Sequence, residues 1–403
     1  MTQIIELIFF KFKFDPITMK KILNLSYDLR DRYNRKVTPA ISNLINVSKS
    51  RFDPFIIDLV RTPNPWQEEV NLRDSHHLKI NVFGLPYGLL MNWSQDRALN
   101  LVKKTASKEE IDFKRFNLIH SHKLTFEGII GYKLSKEYDI PLIVTLRQTD
   151  TMVFNKKIGA IKLFKPIIKR CTKILYLIPQ ILMRMENIFG KSFFEDHIIP
   201  KAVLLPNIVD RKINLLKNDV ESGSFVTVLK MEKKIVNRKN VKRLLIAFSQ
   251  LSNYKIKLSI VGDGSYRSKI EKWVSELHLD GKVKFVGHVD NDKIDGDYAR
   301  AEAFLLPSIS ESFGLVYAEA LLNGTPIMYS KDHLGFDGFF EGVGVGVNPK
   351  SVESIKEGIL KLFENGSLYR KNINILNQAG EFNIFNSSYV GIKYNEILEK
   401  ASI

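Results

Sequence analysis

The stretch Ser308–Ser330 reads SISESFGLVYAEALLNGTPIMYS and decides the fold class. The residues before it, AEAFLLPS, form the short apolar run of a buried strand. Ser312 is a favourable cap for a helix that starts near Phe313, and Asn323-Gly324 ends that helix before a proline. TPIMYS then has the pattern of another strand. The stretch therefore predicts a strand, a loop, a helix and a strand, which is the repeating unit of an α/β fold.

Two carboxylates flank the start of this helix. Glu311 lies just before it, and Glu319 lies about two turns inside it. The first backbone N–H groups of a helix have no partner within the helix, and together with the helix dipole they favour an anion such as a diphosphate. A carboxylate repels phosphate but accepts paired hydrogen bonds from vicinal hydroxyls. The pattern therefore predicts a site for a nucleotide sugar.

The composition indicates a water-soluble globular protein. A chain of 403 residues suits two ordinary domains or one large one, and 44% hydrophobic with 26% charged residues is typical of globular proteins. The sequence contains no apolar run long enough to predict a membrane-spanning helix. The apolar residues 1–18 are interrupted by Lys11 and Lys13, unlike a secretory signal. Cys171 is the single cysteine, which excludes an internal disulfide and favours a cytoplasmic location.

The net charge of +16 calls for an anionic partner or surface. Nucleic acid, acidic lipid and phosphorylated substrates all qualify as partners. The sequence has no helix-turn-helix, zinc-finger or RNA-binding aromatic signature, so nucleic acid is not expected. Solubility alone explains the charge equally well.

Strand-like runs alternate with helical segments along most of the chain. They lie near 55–61, 79–83, 117–122, 141–146 and 173–178, and the alternation restarts near 225 after a polar, non-periodic segment. This order predicts mostly parallel sheets covered on both faces. We expect an N-terminal extension, two domains and a final helix, with bounds at 1–18, 19–207, 208–386 and 387–403.

Polar residues follow several of the predicted strands, where the crevice of a doubly wound sheet lies. The residues at these strand ends are His120, His122, Arg147 and Asp150. The loop after the first strand adds the cations Arg30, Arg32 and Arg35. These side chains could meet a ligand in the crevice, although charge runs are often only solvated and histidines at strand ends are often structural.

Residues 155–173 form a basic amphipathic stretch, in which isoleucine, leucine and phenylalanine alternate with lysine and arginine. Such a stretch could lie on an anionic membrane surface, or it could be a helix packed on the sheet. Pro166 would interrupt a helix here.

The second half offers further candidates for a phosphate site. Glycine-rich turns and strand ends place Gly262, Gly264, Gly287 and His288 near a ligand. Lys230 and Lys239 could clamp a diphosphate from the side opposite the amides of 313–315. The sequence Asp290-Asn291-Asp292 resembles a metal-binding D-x-D, but its place before a helix favours capping, so no metal site is predicted.

The E-x7-E arrangement of Glu311 and Glu319 resembles that of the retaining nucleotide-sugar glycosyltransferases of family 4. VLKM…NRKNVKRLLIAF, VGDGSYRSKIE, VKFVGHV and FLLPSISESFGLVYAEAL follow that family's donor half in order and spacing, while LIHSH and PLIVTLRQTD resemble its acceptor half more loosely. The resemblance implies the GT-B fold, in which two Rossmann-like doubly wound domains face each other across a cleft. It also implies a C-terminal helix that crosses back to the N-terminal domain.

The resemblance implies a role for each matched residue. Glu319 would bind the donor ribose and Glu311 the transferred sugar, while Gly287 and His288 would border the base. The diphosphate would be bound by Lys239, Lys230 and the segment of Ser312, Phe313, Gly314 and Leu315, near Gly262 and Gly264. The groups nearest the reacting atoms would be Glu311, Lys239, Lys230 and Arg147. Transfer would retain the anomeric configuration without a protein nucleophile or a cofactor.

Three departures from the family pattern stand out. Lys230 occupies a position where the family often has arginine, and Arg147 stands where many members have histidine. The first loop, LRDRYNRK, lacks the usual paired glycines. The leading hypothesis is a glycosyltransferase at the inner membrane surface that uses a UDP-sugar to extend a glycan or lipid-linked acceptor. A UDP-sugar epimerase of the same fold and a non-catalytic sugar-nucleotide scaffold are the alternatives.

Overall fold

The computed structural model describes most of the chain. The described residues are 19–27, 29, 39–62, 70–83, 91–154, 160–209, 211, 220–290, 293–331 and 336–402. The predicted N-terminal extension and the cations Arg30, Arg32 and Arg35 lie outside these ranges.

The first sheet has eight strands in the order β3-β4-β2-β1-β5-β6-β7-β8. The strands are β1 (Lys21–Tyr27), β2 (Asp53–Thr62), β3 (Val70–Asp74), β4 (His77–Phe83), β5 (Leu118–Ser121), β6 (Leu142–Leu146), β7 (Lys173–Tyr176) and β8 (Ala202–Leu204). All neighbours are parallel except β3, which pairs antiparallel with β4. The prediction of a mostly parallel sheet is confirmed, although it missed the hairpin strand β3 and the short edge strand β8.

Helices cover this sheet on both faces. They are α1 (Ala40–Ser48), α2 (Met91–Lys108), α3 (Phe126–Tyr138), α4 (Gln148–Phe154), α5 (Ala160–Arg170), α6 (Pro179–Phe189) and α7 (Lys191–His197). Strands β5 and β6 are buried along their whole length, which explains why their sequences are continuous apolar runs rather than alternating ones.

Within the basic amphipathic stretch, residues 160–170 form α5, and the apolar side of this helix faces the protein interior. Phe164, Ile167 and Ile168 are buried in the main core, and Pro166 is accommodated inside the helix. The packed-helix interpretation is therefore correct, and the expected interruption at Pro166 is wrong. Within the described ranges, no helix combines the length and apolar character needed to cross a membrane.

The second sheet has six parallel strands in the order β11-β10-β9-β12-β13-β14. They are β9 (Glu221–Val228), β10 (Lys257–Val261), β11 (Val283–Gly287), β12 (Ala301–Leu305), β13 (Ile327–Ser330) and β14 (Gly344–Val347). The helices of this half are α8 (Lys233–Arg238), α9 (Val241–Ser249), α10 (Arg267–Glu276), α11 (Asp295–Arg300), α12 (Leu315–Leu322), α13 (Val352–Gln378) and α14 (Ser387–Ala401).

The last helix returns to the first sheet. Val390, Tyr394 and Leu398 of α14 share a core cluster with Ile22 of β1 and Leu118 of β5. Lys20 and Glu399 form an ion pair of 2.8 Å at the edge of this contact. The expected crossing of the C-terminal helix to the N-terminal domain is confirmed.

Candidate active site

The reversal of strand order in the second sheet lies between β9 and β12. In an open parallel sheet, ligands bind beyond the carboxyl ends of the strands at such a switch point. Lys230 follows β9 here, and Glu311 follows β12. The tertiary structure thus brings together the two loops that the sequence analysis assigned to the diphosphate and the sugar.

Glu311 and Lys239 form a buried ion pair. Each residue is only 8% exposed, and Lys239 Nζ contacts Glu311 Oε2. The other carboxylate oxygen, Oε1, accepts the backbone N–H of Ser312 at 3.1 Å. Two groups that the sequence predicted for the same site therefore contact each other directly.

Asn240 fixes Lys239 opposite this carboxylate. Helix α8 ends before Lys239, and Asn240 precedes α9 with a left-handed φ of 61°. The Asn240 side chain donates to the carbonyl oxygens of Pro307 at 3.1 Å and Pro349 at 2.6 Å. These hydrogen bonds connect the turn between α8 and α9 to the segments that follow β12 and β14.

Helix α12, the central helix of the candidate site, begins later than the sequence predicted. It starts at Leu315, and Gly314 occupies the cap position with φ 76°, a value that favours glycine. A Cβ on Gly314 would lie 2.4 Å from Cδ2 of Tyr317. The predicted cap at Ser312 is wrong because no side chain caps this helix. The amide groups at its start remain a candidate anion site.

Phe313 anchors the loop in front of this helix. Its ring is buried and lies within 6.2 Å, centroid to centroid, of the rings of Phe336, Phe339 and Phe385. Phe385 belongs to the segment that leads into α14. The loop between β12 and α12, called the donor loop below, is therefore packed against the segment that crosses between the two sheets.

Glu319 lies in a second charged network. Its Oε2 accepts the hydroxyl of Tyr298 at 3.1 Å, and its Oε1 lies 3.5 Å from Nη2 of Arg211. The other terminal nitrogen of Arg211 binds Asp295. Burial and the nearby Glu319 carboxylate raise the pKa of Tyr298 well above its usual value, so this hydroxyl stays protonated as a donor.

The remaining donor-side candidates lie around this centre. Gly262 has φ 124°, and a Cβ there would lie 1.9 Å from the carbonyl oxygen of Leu229. Glycine at this position therefore allows two backbone segments of the protein to pack closely. Its N–H donates to the carbonyl of Gly287 at 2.7 Å. The candidates Gly264, His288 and Lys230 follow strands of the same sheet.

The side chains of Lys230 and His288 point to solvent. The Lys230 side chain is 55% exposed and lies 3.5 Å from Glu232, and the His288 side chain is 77% exposed and lies 3.6 Å from Asp290. Within the described residues, the carboxylate that each side chain pairs with is only two residues away along the chain. Asp290 precedes α11 by several residues, and the other two residues of the D-x-D-like sequence lie outside the described residues.

Three of the four strand-end candidates on the first sheet are fully buried. His120 bonds Tyr394 of α14 through Nδ1 at 2.7 Å and Thr145 through Nε2 at 2.8 Å. Burial lowers the pKa of His120 to about 3, so its ring is neutral. These contacts place His120 inside the domain, where it joins β5 to the crossing helix, and not in an open cleft.

His122 and Asp150 also have contacts inside the protein. His122 Nε2 lies 3.1 Å from Oδ1 of Asn24, and burial lowers its pKa well below the usual value. The two oxygens of Asp150 accept backbone N–H groups from Thr125 at 2.9 Å and Arg147 at 2.7 Å. Asp150 therefore connects two loops, and its geometry favours this structural role over direct contact with an acceptor.

Arg147 is the strand-end candidate that keeps an accessible side chain. Its Nε donates to the carbonyl of His122 at 2.9 Å. The next residue, Gln148, donates to the hydroxyl of Ser310, one residue before Glu311. This hydrogen bond joins the first sheet to the donor loop and places Arg147 beside the candidate centre.

Several residues of this site escaped the sequence analysis. Arg211, Asp295 and Tyr298 surround Glu319, and Gln148 with Ser310 connects the two halves. A helical spacing of three residues places Asp295 and Tyr298 on one side of α11, which is the only local signal for this group. Arg211 gave none, because its partners are distant in sequence.

The comparisons with known proteins agree with this geometry. Residues 226–377 match the family model of glycosyl transferases group 1. The matched residues include Lys230, Lys239, Glu311 and Glu319, so the candidate site lies within the segment that is similar to that family. The expectation of a glycosyltransferase is thereby confirmed at this level.

The similarity to individual relatives extends beyond residues 226–377, toward the N-terminus. An uncharacterized glycosyltransferase of Methanocaldococcus jannaschii is 26% identical over 266 residues, which cover 65% of this chain and 69% of that protein. An alpha-monoglucosyldiacylglycerol synthase of Streptococcus pneumoniae is 24% identical over 234 residues, which cover 53% of this chain and 52% of that protein.

A solved structure with a similar fold covers nearly the whole chain. HepE of Anabaena, determined in complex with UDP, superposes with a TM-score of 0.64 at 18% identity, covering 94% of this chain and 100% of that one. Together with the two doubly wound sheets, this similarity establishes the predicted GT-B fold.

Proposed function

We propose that this glycosyltransferase is a retaining, metal-independent hexosyltransferase of family 4. It moves a sugar from a nucleotide-sugar donor, a UDP-sugar, to a glycan or lipid-linked acceptor of the cell envelope. Residues 19–207 form the acceptor domain and 208–386 the donor domain. The observation that carries the proposal is the Glu311–Lys239 ion pair at the switch point of the second sheet, on the same loop-helix unit as Glu319.

The ion pair explains how the donor would bind. Lys239 is a cation without solvent around it, and a diphosphate offers it a stronger partner than one carboxylate does. When Lys239 turns to the diphosphate, Glu311 is released to accept hydrogen bonds from the sugar hydroxyls. Glu319, held by its neighbours on α12 and α11, binds the ribose hydroxyls.

The transfer step then needs no protein nucleophile. The acceptor oxygen attacks the anomeric carbon from the face that the diphosphate leaves, and the acceptor proton passes to a diphosphate oxygen. The C–O bond to the diphosphate breaks while the new glycosidic bond forms on the same face. Lys239 and the first amide groups of α12 stabilise the negative charge that develops on the leaving group.

For a lipid-linked acceptor, the proposal includes a cytoplasmic protein that binds the inner surface of the membrane. The name of the Streptococcus pneumoniae relative indicates a glycolipid product for that protein. The apolar side of α5 is buried, so docking on acidic lipid would rest on exposed lysines such as Lys162 and Lys169. Co-sedimentation with acidic vesicles should then weaken as the salt concentration rises, and binding that ignores salt would contradict this mode.

The test is a titration of UDP and UDP-glucose into the wild type and two single variants. Glu319→Ala should weaken UDP binding, whereas Glu311→Ala should retain UDP binding and lose sugar transfer. Glu276→Ala, on the exposed side of α10, is a matched control that should change neither. If both site variants lose UDP affinity equally, the assignment of roles is wrong.

The same assay separates the alternative functions. Turnover of the UDP-sugar without any acceptor would indicate an epimerase, and UDP binding without turnover for any acceptor would indicate a scaffold. Activity that disappears with a chelator would contradict metal independence. A protein that binds none of UDP, GDP, ADP and CDP would contradict the donor site itself.

A further inference from the structure

Among the residues that the structure describes, none bonds the terminal nitrogens of the Arg147 guanidinium group. Its backbone N–H donates to Asp150 at 2.7 Å and its Nε to the carbonyl of His122 at 2.9 Å. The two terminal nitrogens make no hydrogen bond and no ion pair within the described ranges, and they do not belong to the fully buried polar atoms. The stem of the side chain is therefore fixed while its two terminal donors remain available.

Two buried carboxylates, Glu127 and Asp150, act electrostatically on Arg147, but neither forms an ion pair with its terminal nitrogens within the described ranges. Both oxygens of Asp150 accept backbone N–H groups. Glu127 is fully buried, and Lys123 lies 3.5 Å from its Oε1. Burial raises the pKa of Glu127 above its usual value. The positive charge of Arg147 is therefore not matched by a carboxylate in contact with it.

The position of Arg147 identifies the space that its donors face. The neighbouring Gln148 bonds Ser310 of the donor loop, next to Glu311. Arg147 also lines a small cavity together with Ala40 at the start of α1 and Asn207 of the segment between the sheets. Arg147 is therefore adjacent in sequence to a hydrogen bond between the first sheet and the loop that carries Glu311.

We propose that Arg147 binds an anionic group that a substrate carries in addition to the donor diphosphate. The proposal rests on the proposed function and names its substrate class. A guanidinium group offers two parallel donors that match a carboxylate or a phosphate, and the half-buried terminal donors of Arg147 would gain charge-assisted hydrogen bonds from such a group. The anion is either a carboxylate on the transferred sugar or a phosphate on the acceptor.

Calorimetric titrations of the full chain distinguish these two sources. In the first arm, UDP, UDP-glucose and UDP-glucuronic acid are titrated into the wild type and into Arg147→Gln. A carboxylate source predicts that the wild type prefers UDP-glucuronic acid to UDP-glucose by about tenfold or more, and that Arg147→Gln loses this preference while binding UDP unchanged. In the second arm, glucose 6-phosphate and glucose are titrated into the UDP-saturated protein. A phosphate source predicts a preference for glucose 6-phosphate that Arg147→Gln abolishes.

Controls cover folding and overall charge. Arg115→Gln removes one exposed positive charge from the same domain and should leave both preferences intact. Arg147→Lys keeps the charge without the paired donors and should retain only part of the preference, so it replaces Arg147→Gln if that variant does not fold.

Two outcomes overturn the proposal while leaving the glycosyltransferase function in place. One is a wild type that binds UDP but prefers the anionic ligand in neither arm. The other is a loss of UDP affinity in Arg147→Gln as large as the loss of preference, because Arg147 would then bind the diphosphate itself. Failure of the wild type to bind UDP at all contradicts the proposed function instead.

Discussion

Nη2 of Arg211 lies 3.5 Å from Oε1 of Glu319, so the segment between the two sheets contacts the central helix through a charged pair. The second oxygen of the same carboxylate accepts the hydroxyl of Tyr298 at 3.1 Å. Arg211 is held in turn by Asp295, which also accepts Asn323 at 3.0 Å. A carboxylate bound on both oxygens has a fixed orientation before any ligand arrives, which reduces the entropic cost of binding a diol.

Tyr298→Phe should therefore weaken UDP binding. The variant removes one hydrogen bond to a charged group and leaves the buried ring in place, so we expect a loss of about 1.5 kcal/mol, or about tenfold in Kd. Calorimetry with UDP measures this change.

Tyr317→Phe is the matched control for this change. Tyr317 is also buried, and its hydroxyl donates to the carbonyl of Leu306 at 2.6 Å, away from Glu319. This variant should lower the thermal midpoint and keep the affinity for UDP. Equal affinities for UDP in the wild type and Tyr298→Phe would show that the hydroxyl does not orient Glu319.

The Glu311–Lys239 pair should show strong coupling in a double-mutant cycle. Removal of one partner leaves a buried charge without a counter-ion, so Lys239→Met and Glu311→Leu should each destabilise the domain by about 3 kcal/mol. The double variant should be destabilised by less than the sum of the two. Thermal unfolding without nucleotide measures the cycle, and strictly additive changes would contradict a direct ion pair.

Gly314→Ala should damage both folding and nucleotide binding. A side chain at φ 76° costs about 1–2 kcal/mol, and its Cβ would lie 2.4 Å from the ring of Tyr317, so the helix start must move. Gly296→Ala is the control, because Gly296 lies inside α11 and its nearest neighbour is at 3.4 Å. There alanine should be neutral or stabilising, by up to about 1 kcal/mol. If both variants unfold alike, backbone strain at Gly314 is not the cause.

The stability of the N-terminal half should fall as the pH falls. The folded state keeps His120 neutral, with its pKa lowered from 6.5 to about 3, while the unfolded chain binds a proton below about pH 6.5. Acidification from about pH 7 to pH 5 therefore favours the unfolded state, by up to about 1.4 kcal/mol per pH unit for this group.

His120→Gln tests the origin of this pH dependence. The variant lacks the titrating ring, so the difference in thermal midpoint between it and the wild type should shrink on acidification. His288→Gln, at an exposed position, should keep the pH dependence of the wild type. A difference between wild type and His120→Gln that is the same at both pH values would contradict the assignment.

Local sequence patterns predicted the elements better than their ends. The apolar runs of β5, β6, β9, β10 and β12 and the final helix were recognisable because burial imposes a period or a continuous run on the sequence. The cap at Ser312 was wrong. Gly314, which has a left-handed backbone, precedes the first residue of α12 instead.

The candidate site was predicted only in part, because a sequence pattern reveals features of one segment but not its contacts with distant segments. The spacing of Glu311 and Glu319 across a helix start is a property of one short segment, so the sequence reveals it directly. His120, His122 and Asp150 were correctly placed at strand ends, but the sequence could not show that the crossing helix and neighbouring loops bury them. Burial depends on segments that lie far away along the chain.

By itself, the sequence determined two sheets of alternating strands and helices and a loop-helix unit with two carboxylates beside an anion site. Only the tertiary structure decided which charges are paired. Lys239 and Glu311 are 72 residues apart, and Gln148 and Ser310 are 162 apart, yet both pairs are in contact. Arg147 differs from them because its two terminal nitrogens have no such partner in the part of the chain that the structure describes. The physical reason is that ion pairing and desolvation depend on distance in space, for which a local sequence pattern holds no record.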